Sequence, residues 1–561
     1  MARNISKVYL LDVPMEDDLK NTLYFASASA QQTYFQSVIG KTYTDVSYQS
    51  ETRTFRCKDE LEVVRKYNYI MWQNTSYSNK WFYGFITKAT HISDGLTDIQ
   101  FEVDPIQTFM FDITVKPSFI EREHTNDDTI GANTVLEGLD VGEYEIVDLK
   151  NIPIYETVTP STDWTVAFVT SKLPDNDKFI KNESDLLGGV FNSLHIFGVE
   201  NIAQARNLLY IYNEEGRGCT GDDIKNIYMI PSACLNKSFN LPTEYWTTID
   251  GQSKVAVCRP LYNYYLFDDG GNPFEYRQPT VLAENYTPVN KKLYCWPYSY
   301  FYITNNAGTD VKFNWEDMPS LTAGQYDTGK AFKYRKAVVP TVSLSAKLYP
   351  TSYKTYSDNG TTPTCMYNYG INFAKTPVCS WITDYYTNWL TQNGVNVGVN
   401  AAQTMAGGLG AGIGLMNMGA GIPGLAVGVA GGAIKAISDA LVANHNAEIT
   451  PNQASGDLNS SDVMYAFSRC SMKLYMMSVR PEVARIVDGY FSMYGYKVNR
   501  LKTPNVAHRQ NWWYTKTIGA NIVGNVPNDY MTKIKKAYDD GITYWRTPAN
   551  FLDYSKPNGI V

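Results

Sequence analysis

The run KWFYGFITKATHISDGLTDIQFEV, Lys80 to Val103, decides the fold class. Its two ends, Lys80–Ala89 and Thr97–Val103, are dense in aromatic and β-branched residues. Such side chains fit a pleated, half-buried surface. Ser93-Asp94-Gly95 supplies the turn between them, so a hairpin is predicted. Working outward, Ile113–Glu123 reads as one further strand with an acidic end, and Ser29–Val38 as a short helix after Ser27. Beyond residue 150 the runs Trp164–Thr170, Asn207–Tyr212, Lys254–Cys258, Tyr262–Phe267 and Leu293–Thr304 continue the strand theme. Asp269-Gly270-Gly271-Asn272 and Asn305-Asn306-Ala307-Gly308 are turns, with Gly where positive φ is needed. A helix is predicted over Asp185–Phe197. Near the end, Val483, Ile486, Val487 and Tyr490 follow helical spacing after Pro481. Tyr530, Ile534, Ala537 and Tyr538 do the same between Pro527 and Gly541. The expected class is mainly β with a few helices (α+β), in several domains.

The 561 residues suffice for three or four domains. Charged residues make up 19%, below the usual ~25%. Aromatics reach 14%, with 43 Tyr, which excludes simple disorder. The 40 Gly follow no period of three, which excludes collagen. The formal charge of -7 and the lack of a dense basic run argue against tight DNA binding. They leave room for DNA sliding past a weakly acidic wall. Eight cysteines form no CxxC pair and are expected as free, buried thiols of a protein made in a reducing cytoplasm. The start of the chain breaks its short apolar run at Asp12, unlike a signal peptide.

One segment departs from this pattern. Tyr385 to Ile434 contains no Asp, Glu, Lys, Arg or His over 50 residues. Within it, Met405 to Ile434 reads MAGGLGAGIGLMNMGAGIPGLAVGVAGGAI, and 11 of its 30 residues are Gly. That exceeds the length that spans a bilayer. In water the glycines would cost a helix on the order of 10 kcal/mol. Gly and Ala also offer little side chain for a packed core. Two environments suit such a run: the lumen of an oligomer, or a bilayer where backbone bonds must close. Gly408/Gly412 and Gly424/Gly428 have the spacing that permits close helix approach, with Pro423 and Gly394 as further hinge positions. Met405, Leu409, Ile413, Leu415, Met416, Met418, Ile422, Leu425, Val427, Val429 and Ile434 are too apolar to leave in water as a simple linker. A single apolar segment inside a Tyr-rich β protein reads as a conditional membrane device; a buried plug between subunits is the other reading.

No HExxH or GxSxG occurs among the five histidines and the serines. Gly324 to Lys330 matches GxxxxGK, but Ala331 follows where a hydroxyl would hold Mg²⁺. The pairs Asp127-Asp128, Asp222-Asp223, Asp268-Asp269 and Asp539-Asp540 read as turn residues and solvated helix ends. Trp381–Trp389 and Trp512-Trp513-Tyr514 read as strand cores and subunit interfaces before glycan grooves. No catalytic residue, metal or cofactor is therefore expected.

Five blocks, in order along the chain, carry a resemblance. They are Phe101–Phe109 with Phe119-Ile-Glu-Arg-Glu-His124, Asn290–Tyr300 running into Thr304-Asn305-Asn306, Cys379–Leu390, Tyr494–Lys502, and Lys533–Trp545. Together they resemble the tail knob, or distal tail tube, proteins of small Picovirinae-type podoviruses of Gram-positive bacteria. The resemblance implies a structural virion protein of the distal tail, not an enzyme: a β-rich ring, typically a hexamer, that conducts the genome. It implies that Met405–Ile434, with stems on both sides, closes the tube and enters the host cytoplasmic membrane. The implied partners are further copies, a lower collar or upper tail protein, a tail-tip cell-wall-degrading protein, host lipids and passing DNA. The expected organisation is a β tube domain over 1–150, a middle β-rich region over 151–380, the apolar loop with stems over 385–445, and an α+β segment over 446–561. A receptor-binding adhesin or a cell-wall hydrolase is the alternative.

Overall fold

The computed structural model describes residues 6–46, 48–49, 53–74, 78–154, 164–174, 186–187, 190–191, 194–238, 243–249, 251–306, 308–321, 329–351, 353–354, 370–373 and 471–561. Strands dominate, with a few helices, as the residue patterns predict. The chain forms two compact units: Met1–Tyr144, Glu284–Tyr298 and Val479–Val561 make the first, Glu145–Ala283 and Ser299–Ser478 the second.

The predicted hairpin lies in the first unit's seven-stranded sheet, as strands Trp81–Ser93 and Leu96–Val103. Strand Tyr69–Asn74 in the same sheet is buried on both faces. Tyr69 and Met71 pack with Phe35 and Trp545, while Ile70 and Trp72 pack with Ile99 and Phe101. Phe35 belongs to helix Ala28–Ser37, whose first turn is capped by Ser27 accepting from the Ala30 N–H at 3.2 Å. A second sheet orders its strands Asn21–Leu23, Ile542–Trp545, Trp512–Ile518, Ser118–Glu123 and Tyr496–Lys502. Trp512 and Trp545 are cross-strand partners, with ring centroids 5.1 Å apart. Helix Asn528–Asp540 packs through Ile534, Ala537 and Tyr538, on the predicted face.

The second unit holds three sheets of four or five strands and one two-stranded pair. Strand Trp164–Thr170 is buried at every residue. Val166 and Phe168 meet helix Ile202–Tyr212, while Ala167 and Val169 enter the large core that also holds Phe301, Trp315 and Leu474.

Six local expectations are corrected. Ile113–Glu123 is two strands, Ile113–Val115 and Ser118–Glu123, because Pro117 between them has no N–H for a ladder. Asn207–Tyr212 is the end of a helix, started by Asn201 capping the Gln204 N–H at 3.1 Å. The helix expected over Asp185–Phe197 is replaced by strands Leu186–Leu187, Val190–Phe191 and His195–Val199. The last of these pairs with Trp164–Thr170 and sends Ile196 and Phe197 into two different cores. Tyr262–Phe267 is strand only from Tyr265, and Leu293–Thr304 is a 3-10 turn (Lys291–Tyr294) before strand Ser299–Thr304. Helix Pro481–Tyr494 is rotated by one position: Ala484, Val487, Asp488 and Phe491 are buried, while Ile486 is 73% exposed. Cys57, Cys219, Cys234, Cys258 and Cys295 are free and buried, as expected; Cys365, Cys379 and Cys470 lie outside the described residues.

Gly541, which ends helix Asn528–Asp540, has φ 98°, and a Cβ there would lie 2.0 Å from the Tyr514 hydroxyl. Gly541→Ala is expected to destabilise the first unit by about 1–3 kcal/mol, read as a lower urea midpoint at unchanged slope.

Candidate functional site

Three of the blocks that carry the family resemblance meet in one buried polar junction of the first unit. Strand Ser118–Glu123 brings Arg122 and Glu123, followed by His124. The 3-10 turn Lys291–Tyr294 brings Lys292, preceded by Asn290. Helix Pro481–Tyr494 brings Asp488, and the strand after it brings Tyr496. At the centre is Glu137, whose side chain has no solvent exposure. Its carboxylate pairs with Arg122 on one oxygen and Lys292 on the other. The Lys497 N–H also donates to it at 3.0 Å. Arg122 donates to the Gly495 carbonyl at 2.7 Å and lies over the Tyr490 ring at 4.7 Å. Lys292 donates to the Val135 carbonyl at 2.8 Å.

Around this core the anions are equally committed. Asp488 accepts from the Tyr286 hydroxyl at 2.7 Å, the Val289 N–H at 2.8 Å and the Asn290 N–H at 2.9 Å. This explains the rotated helix: the carboxylate is drawn inward by its donors, and Ile486 is turned out. Asp128 accepts from the Tyr496 hydroxyl and from the Lys291 N–H, the latter at 3.2 Å. Asp128 is half-buried, and desolvation pushes its carboxyl up, which corrects its reading as a solvated turn residue. Burial also lowers the Lys292 ammonium despite Glu137. Glu123 pairs with Lys502 and accepts from the Asn505 N–H at 3.0 Å.

His124 is held neutral. The Tyr514 N–H donates to Nδ1 at 2.7 Å, which leaves the proton on Nε2, 3.1 Å from the Ser492 carbonyl. Burial, then the nearby Arg509 charge, lowers its pKa to about 3. Gly495 ends the helix at φ 64°, and a Cβ there would lie 2.1 Å from the Glu123 carbonyl. The junction ties remote segments of chain to one another. Among the described residues no group of three or more His, Cys, Asp or Glu forms a metal site.

The apolar segment named from the sequence, Met405 to Ile434 with Gly394, lies outside the described residues, as do Trp381–Trp389 and most of Gly324–Lys330. No described helix is long and apolar enough to cross a membrane. The described residues nearest to it in sequence are Phe373, just after strand Ile371–Asn372, and Ser471, which opens strand Ser471–Val479. Strand Ser299–Thr304 touches both flanks. Thr304 is the cross-strand partner of Lys473, and the next residue, Asn305, donates from Nδ2 to the Asn372 carbonyl at 3.1 Å. Phe373 and Met472 enter the same core. These two flanks are therefore neighbours, anchored in one hydrophobic cluster. The junction and these flanks were not singled out from the sequence; the clustering of Glu, Arg, His and Lys within the family blocks was the one available signal.

The family described as Bacillus phage phi29 tail knob protein gp9, C-terminal domain, matches residues 263–559. The caudoviral major tail protein N-terminus matches residues 4–114. The tail knob protein gp9 of Bacillus phage B103 is 26% identical over 586 residues, covering 95% of each chain. That of Bacillus phage phi29 is 24% identical, covering 98% of each. The structure of the bacteriophage C1 tail knob protein, gp12, aligns with a TM-score of 0.62 at 14% identity, over 99% of this chain and 100% of that one; the likeness is one of fold.

Glu137→Gln is expected to cost the first unit about 3–5 kcal/mol in urea unfolding, since two buried cations lose their anion. Glu62→Gln, at an exposed pair with Arg65, is expected to change it by less than about 1 kcal/mol. Because His124 is neutral in the fold but titrates near 6.5 when unfolded, its contribution is full above pH 6.5 and lost as pH falls toward about 3. His124→Asn keeps an acceptor for the Tyr514 N–H and is expected to flatten that acid-side decline in melting temperature.

Proposed function

The chain belongs to the tail knob protein family of podoviral tails, and from that premise we propose that it forms the distal conduit for genome ejection, closed by its apolar loops. It is a structural component of the virion tail and not an enzyme. In the proposed assembly a ring of copies, six by family analogy, encloses a lumen. Met405–Ile434 of each copy gathers there while the particle is free. At infection the loops move outward and insert in the host cytoplasmic membrane.

The observation that supports this reading is that the described residues on the two sides of 374–470 are held together: Asn372 and Lys473 both lie beside Thr304-Asn305, so the chain between them starts and ends on one strand framework. Its apolar residues gain roughly 0.025 kcal/mol per Å² of apolar area taken from water, whether they meet each other or lipid. The net charge of -7 suits a wall past which DNA moves without sticking. In this reading Gly408, Gly412, Gly424 and Gly428 allow close packing and Pro423 breaks the run. A collar or upper tail protein on one side and a wall-degrading tip protein on the other complete the assembly.

Dye release from anionic liposomes, at neutral and mildly acidic pH, tests the membrane step. Intact protein is expected to cause leakage, and a version with residues 394–432 replaced by a short Gly/Ser turn is expected to cause none. Equal leakage from both would count against the loop. Release of muropeptides from cell walls by the purified protein would favour the hydrolase reading instead.

A further inference from the structure

Residues 556–561 run back along residues 508–512 of the first unit. The Val561 N–H donates to the His508 carbonyl at 2.9 Å, the Gln510 N–H donates to the Gly559 carbonyl at 3.1 Å, and Ile560 forms a bridge with Arg509. Just before this strap, Tyr554 packs on Trp512 and on Trp545, with ring centroids 5.1 Å apart in both pairs. One side chain latches the strap. Asn558 Oδ1 accepts from the Asn511 N–H at 3.0 Å and from the Trp512 N–H at 3.1 Å, and its Nδ2 donates to the Trp512 carbonyl at 2.8 Å. The place needs an acceptor and a donor together, which an amide supplies and a carboxylate does not.

Asn558 is followed by Gly559. A glycine leaves its own backbone nitrogen unhindered, so Asn-Gly is the pair in which that nitrogen most readily attacks the preceding side-chain amide. The sequence holds three Asn-Gly pairs, and 558–559 is the only one among the described residues. We propose that Asn558-Gly559 is a deamidation site that the fold keeps closed and whose reaction unlatches residues 556–561. In that reaction Gly559 N bonds to Asn558 Cγ, the Cγ–Nδ2 bond breaks and ammonia leaves with the proton. Water then opens the cyclic imide to an aspartyl or isoaspartyl residue, and no oxidant or reductant is needed. While Oδ1 and Nδ2 both engage the backbone of 511–512, the side chain is not free to turn toward Gly559 N. The reaction therefore waits for local opening of the strap. The product does not latch again. Its carboxylate has no proton for the Trp512 carbonyl and sets an oxygen against that oxygen. The isoaspartyl form also inserts Cβ into the backbone, which shifts the Gly559 carbonyl away from the Gln510 N–H. The release is one-way.

Peptide mass mapping of the full chain, incubated at mildly alkaline pH in buffer or in urea, is the first test. Deamidation at 558 is expected to be at least about tenfold slower in buffer than in urea. Gly559→Ala places a Cβ 3.6 Å from the Gln510 side chain, an ordinary contact that leaves the strap in place. It is expected to slow the reaction several-fold in urea. Asn558→Asp stands in for the product. Hydrogen exchange at the Gln510 and Val561 amides is expected to quicken several-fold in it, while strand Tyr69–Asn74 exchanges as in wild type and shows that the variant folds. Should that strand quicken too, wild type aged to partial deamidation replaces the variant, and fast exchange is expected in its modified fraction alone. Equal deamidation in buffer and urea would overturn the latch. So would a modified strap that exchanges like wild type, its carboxylate taken up by Arg509, which donates to the Asn558 carbonyl at 3.4 Å. Gly559→Ala that reacts as fast as wild type would overturn the assigned chemistry.

Discussion

The first unit depends on one buried carboxylate. Glu137 is held by Arg122 from a strand, Lys292 from a 3-10 turn and the backbone of Lys497, contributed by three stretches far apart in sequence. A buried charge without partners is strongly unfavourable, so these stretches are stable only together. Asp488 and Asp128 extend the same constraint to Asn290 and Tyr496. Replacing such a cluster by apolar residues would often be no less stable. What the charges add is register: Glu137 accepts Arg122 and Lys292 only when strand, turn and helix are all in place.

This arrangement separates two tasks. A rigid polar junction fixes the first unit. In the second unit a large aromatic core that includes Phe301 and Trp315 also holds Phe373 and Met472, described residues on the two sides of 374–470. An apolar run rich in Gly has no packing preference of its own to oppose a change of surroundings.

Much of the framework was legible in the sequence where one local signal dominates. The hairpin at 80–103, the Ser27 cap and the two late helices follow from turn chemistry, capping and helical period. The failures have physical causes. Pro117 interrupts a run whose side chains alone suggest one strand. Asp488 outweighs the apolar residues of its helix, because donors from 286–290, invisible to a local period, draw it inward. Asn201 starts a helix whose last turn reads as a strand. The junction was hidden for the same reason: Glu137, Arg122 and Lys292 acquire meaning only through contacts more than 150 residues apart for Lys292. The apolar segment was the opposite case, conspicuous by composition alone.

In the proposed function residues 405–434 meet lipid while the folded body does not. A photoactivatable reagent confined to the bilayer core, incubated with the protein and host-like vesicles, tests this directly. After irradiation and digestion, the label is predicted on peptides from 405–434 and absent from those bearing Arg122, Glu137 and Lys292. Label spread over the body, or none within 405–434 while the vesicles leak, would contradict it.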